Sequence, residues 1–169
     1  MSKLKGKKKL NKAISAQLKN FGVKAELSTE YAYYFSKALV TFKITENTIE
    51  DELFDEFIFE RFGYEVKNIF MISLLHEVGH HLANNEIDGM IYNFCMDEKD
   101  RIEKAIPNLD SYDEIKKLEY QYFALPDEIM ATQWAVNFAR NNALECDVMW
   151  ENIKTALFKF YKKNGLTND

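Results

Sequence analysis

All three histidines of the chain fall within six residues, His76-Glu77-Val78-Gly79-His80-His81. His76 and His80 are four apart, with an acid directly after the first, which is the H-E-x-x-H arrangement. On a helix, residues four apart share a face, so two imidazoles can meet one cation. Glu77, one position on, can reach a water held by that cation without being a ligand. The chemistry on offer is metal-assisted hydrolysis with a carboxylate as base, and one zinc ion per chain is the expected cofactor. By chance the motif should occur in a chain of this size roughly a few times per thousand.

The residues before the motif, Phe70-Met71-Ile72-Ser73-Leu74-Leu75, predict the helix it needs. At 100° per residue Met71, Leu74, Leu75, Val78 and Leu82 form one apolar stripe, and His76 and His80 lie roughly 160° from its middle. The helix is expected to pack its stripe on one layer and aim its histidines the other way. A solvated histidine face is the plain alternative. Gly79 costs a helix interior about 1 kcal/mol relative to Ala, which tolerance or the close approach of another backbone or of substrate would explain. His81 points well away from His76 and reads as a packing or supporting residue.

A catalytic zinc usually has three protein ligands and an open position. No histidine is left, so the third must be Asp, Glu or Cys; cysteine is less expected beside this motif, and three carboxylates stand out. Glu86 falls ten residues after His76, where longer zinc motifs end, but Ala83 stands where their turn glycine belongs. Asp127 and Glu128 open the segment Pro126-Asp127-Glu128-Ile129-Met130-Ala131-Thr132-Gln133-Trp134-Ala135. Taking Met130, Ala131, Trp134, Ala135 and Phe138 as its buried stripe puts Asp127 near the middle and Glu128 toward the edge. Acids in a first turn also favour the helix dipole without any metal.

His76-Glu77-Val78-Gly79-His80 followed by Glu128-x-x-Ala131-x-x-Trp134-Ala135 resembles the gluzincin zinc peptidases. In those, a later helix supplies a glutamate ligand, often with a small residue three positions on. The chain is also similar to the small ImmA/IrrE-type metallopeptidases of phages and prophages. In that smaller family the ligating Glu often directly precedes the Ala, a place held here by Met130. The resemblance covers about residues 65–140. It implies a zinc-dependent peptidase, a hydrolase acting on a peptide or protein, with His76, His80 and Glu128 as metal ligands and Glu77 as catalytic base. A zinc-stabilised regulatory or binding protein, with lost or very narrow proteolysis, is the alternative.

The elements that must position these residues read as α+β and helix-dominated, a zincin-like domain with a small antiparallel sheet and a central H-E-x-x-H helix. Helices are expected over 12–21, 50–62, 64–84, 111–123, 126–141 and 147–163, with strands over 23–27 and 38–44 and strand or loop over 90–95. The strand over 38–44 is a candidate edge for pairing with an extended substrate. Residues 1–12 read as a flexible basic segment with six lysines, and 13–169 as a single domain. The net charge of −5 does not argue for nucleic acid, which only the basic start leaves open. Residues 46–60 hold seven acids and no base. Cys95 and Cys146 form no C-x-x-C pair and read as buried thiols in a reducing compartment. No signal-peptide pattern and no apolar run of membrane-spanning length is present, so a cytoplasmic location is expected.

Overall fold

Local signals in the sequence set most of the helix ends. The computed structural model describes residues 4–44, 48–83 and 86–166, and among these it has seven α-helices and three short strands. Helix dominance with one small sheet is the α+β class expected. The chain divides into two compact units, residues 1–44 with 138–169, and residues 45–137.

In the first unit α1 (Lys7–Gln17) starts five residues before the predicted helix, because Leu10, Ile14 and Leu18 already form its buried stripe. Lys7, Lys8, Lys9 and Lys12 therefore lie on a helix, while Lys3 is outside the described residues. After a 3-10 turn, Gly22 takes the left-handed conformation and admits β1 (Lys24–Leu27). Ser15 and Asn11 of α1 accept the backbone N–H groups of Ala25 and Leu27 at 2.8 and 2.9 Å, so this edge of the sheet is covered. β2 (Ala32–Tyr34), too short to show an alternation, was not anticipated. β3 (Leu39–Phe42) lies between the other two, parallel to β1 and antiparallel to β2. The sheet is therefore mixed where an antiparallel one was expected. β3 is its central strand, paired on both sides with Val40, Thr41 and Phe42 buried, and has no open edge for a substrate. α7 (Ala143–Asn164) packs on α1, and Asn164 exchanges hydrogen bonds with the backbone of Lys5.

The second unit holds the motif. α2 (Ile49–Phe62) begins with a reciprocal Thr48–Asp51 capping box, worth about 1 kcal/mol, and stops at left-handed Gly63. α3 (Ile69–Ala83) starts at the Asn68 cap, whose side chain accepts from the Met71 N–H, and not at Tyr64. Its predicted end at Asn84 lies outside the described residues. The predicted strand or loop over 90–95 is instead the start of a helix, α4 (Gly89–Ala105), capped by Asp88. Cys95 and Ile102 are its buried residues, whereas Met90, Ile91 and Phe94 are exposed. The apolar residues that obscured the helical period thus do not mark its inward face. α5 (Tyr112–Phe123) packs on α2 through Phe57 against Tyr120 and Phe123. α6 (Pro126–Asn141) follows, with Pro126 in its first turn and its residues to Asn137 in this unit. No described helix is long and apolar enough to cross a membrane.

Candidate metal centre

α3 is buried on all sides from Met71 to Gly79, and His76 and Glu77 are buried with it. The histidine face is therefore covered by protein and not by solvent. Leu82, placed in the apolar stripe by the sequence, is exposed near the helix end. The ring of Phe54 from α2 meets the His76 ring edge-on at 5.3 Å, and Glu128 and Thr132 of α6 reach the same ring.

α6 reaches the histidines because both helices are small where they meet. A Cβ on Gly79 would stand 2.9 Å from the Ala131 Cα and closer still to its carbonyl oxygen. Close backbone approach is thus the reason for glycine at this position. Small residues also dominate the buried face of α6: Asp127, Glu128, Ala131, Thr132, Ala135, Val136 and Ala139 are buried, while Met130, Trp134 and Phe138 are only half-buried. That face is rotated roughly 80° from the one inferred from bulk and hydrophobicity, and its centre falls at Glu128 instead of Asp127.

Glu128 lies between the two histidines. Its Oε2 is 2.9 Å from His76 Nε2, its Oε1 is 3.2 Å from His80 Nε2, and the two Nε2 atoms are 3.1 Å apart. Around a tetrahedral ion with bonds of about 2.0–2.1 Å, neighbouring ligand atoms stand about 3.3 Å apart. Two imidazole nitrogens and a carboxylate at these separations fit that donor set. Among the described residues these three are the group that could hold a metal. Asp127 belongs to an ion pair with Lys99 instead, Glu86 is exposed and apart from the cluster, and His81 is not part of it.

Support for His76 and Glu128 comes from residues that the sequence pattern did not single out. His76 Nδ1 is 3.0 Å from Oγ1 of fully buried Thr132, one turn after Glu128. With Nδ1 protonated the ring donates to Thr132 and leaves Nε2 free for a metal. Lys99 of α4 pairs with both Asp127 Oδ2 and Glu128 Oε1, and its ammonium lies 5.4 Å from the centre of the Tyr122 ring. A spacing of four from Cys95 and three from Ile102 would have placed Lys99 on the inward face had α4 been recognised as a helix.

Electrostatics separates the two glutamates. Burial raises Glu77 to about 7, with His76 opposing and Glu128 adding to the rise. Burial also works against the Glu128 anion, but His80 and His76 outweigh it and hold its carboxyl well below the ordinary range. Lys99 is held above the usual lysine range because Glu128 and Asp127 overcome its burial. Burial, joined by Glu128, Glu103, Glu77 and Asp127, pushes the half-buried Tyr122 phenol far up. Cys95 is buried and Cys146 half-buried, and neither is in a disulfide.

No protein-family model matches the chain, and no curated protein or solved structure does either.

Proposed function

We propose that the chain is a zinc-dependent peptidase that hydrolyses a peptide bond with metal-activated water. The observation that carries this reading is the convergence of His76 Nε2, His80 Nε2 and the Glu128 carboxylate beside the buried acid Glu77. The resemblance of the two motifs to gluzincin and ImmA/IrrE-type metallopeptidases supports it. Zinc, when bound, lowers the pKa of a coordinated water to about 7 and polarises a carbonyl.

The chain's own residues do the rest. His76, His80 and Glu128 would hold the ion, and Thr132 fixes the His76 ring. Glu77 is anionic in the ordinary working range once a cation sits beside it. It takes the proton from the attacking water on its carboxylate and passes it to the nitrogen of the leaving amine. Glu77 is placed for both transfers because it is buried one residue after His76, beside the three converging groups. The substrate in this reading is a peptide or protein, met in the cytoplasm.

The test is metal analysis joined to cleavage. Purified chain should hold about one zinc, cleave an unstructured protein substrate, and lose cleavage but not zinc on Glu77→Gln. Stoichiometric zinc with no turnover against any peptide library would favour the regulatory or binding role.

A further inference from the structure

Lys99 is a half-buried cation at a site read as a cation's. Its side chain is 12 % exposed and reaches from α4 to two consecutive acids in the first turn of α6. Partnering Asp127 alone would satisfy the ammonium's charge. It also contacts Glu128, at Oε1. The two oxygens of Glu128 therefore differ: Oε1 is shared between the ammonium and His80 Nε2, 3.2 Å away, whereas Oε2 lies 2.9 Å from His76 Nε2. A carboxylate left free can close on a metal with both oxygens and fill two coordination positions. One with an oxygen already engaged offers a single atom.

Resting on the metal-centre reading above, we infer that Lys99 is a positioning residue that reserves one oxygen of Glu128, so that the carboxylate ligates through the other and the centre, with its water, stays four-coordinate instead of becoming five-coordinate. Asp127 Oδ2 pairs with the same ammonium, which gives the buried acid one residue from the ligand a partner of its own. Lys99 touches the ligand and not the reacting atoms, and acts through Glu128.

Cobalt(II) tests this without a substrate, because its visible absorption is intense in four-coordinate sites and weak in higher coordination. Lys99→Met alone strands the buried Asp127, so the decisive variant is the double Lys99→Met/Asp127→Asn, which removes both charges. The wild type should bind one cobalt with an intense visible band, and Asp127→Asn alone should keep that band. The double variant should still bind one cobalt, but with a several-fold loss of band intensity. An unchanged band in the double variant overturns the role of Lys99 and leaves the metal centre standing. The same loss in Asp127→Asn alone also overturns it. A wild type that takes up no stoichiometric cobalt or zinc overturns the metal centre itself, and the inference with it.

Discussion

The Cα of Ala131 lies where a side chain on Gly79 would have to be, 2.9 Å from the position of its Cβ. Two helices far apart in sequence thereby meet at their backbones, one turn beyond Glu128 on α6 and between His76 and His80 on α3. Gly79→Ala gains about 1 kcal/mol of helix propensity. It also forces backbone atoms apart, and overpacking of this kind costs about 1–3 kcal/mol. The expected outcome is a net loss of stability in urea denaturation together with weaker zinc binding, as Glu128 is carried away from His76 and His80. A variant as stable as the wild type with unchanged zinc affinity would show that the approach is not needed.

Glu77 and Glu128 should fail differently. Glu77→Gln keeps a hydrogen-bonding amide but cannot take a proton, so zinc should stay while turnover falls by about 10²–10⁴-fold. Glu128→Gln should lose zinc first and activity in proportion, with partial rescue by added zinc. Kinetics and metal content measured on the same preparations separate the two patterns.

Thr132→Val should weaken zinc binding by about 10–100-fold although it removes no ligand. The His76 Nδ1–H would face a methyl group where the Thr132 hydroxyl stands at 3.0 Å. Competition against a chelator of known affinity measures the change, and Thr132→Ser should restore most of it.

Stability of the metal-free chain should carry the signature of Glu77. Its folded pKa, about 7, is above the ordinary value of 4.5, so between those values the folded state holds a proton that the unfolded state has released. Stability from this group therefore falls as pH rises through that window, by about 3 kcal/mol in all. Glu128, held below its ordinary range, has the opposite sign: its contribution is present above that range and is lost as the pH drops. Urea melts at pH 5 and pH 8 in the presence of a chelator should show the fall in wild type and its absence in Glu77→Gln. Equal pH dependence in both would place the buried proton elsewhere.

The sequence made the helices legible where their ends carry their own chemistry. Pro126 and the acids after it mark α6 at the observed boundary, and Gly63 stops α2 where predicted. It made the histidine pair legible because spacing alone puts His76 and His80 together. The choice between Asp127 and Glu128 was not legible from a wheel. Hydrophobic bulk suggested a face containing Met130, Trp134 and Phe138, whereas the buried face is built from alanines that let another backbone come close. Lys99 stayed hidden because the exposed Met90, Ile91 and Phe94 blur the helical period of α4 just before it. β2 spans three residues and pairs with a strand that follows it, information no local window contains.

Burial around His76, His80 and Glu128 is uneven, and this bears on how fast an ion held there would leave. The side chains of His76 and Glu128 are 8 % and 5 % exposed, against 16 % for His80. A chelator would meet the centre from the His80 side, after that ring has swung clear, while the other two ligands still hold. Zinc removal should then be limited by a motion of the protein, so its rate should level off as chelator concentration rises. His80→Ala would abolish the plateau and release the ion at a rate set by the chelator alone.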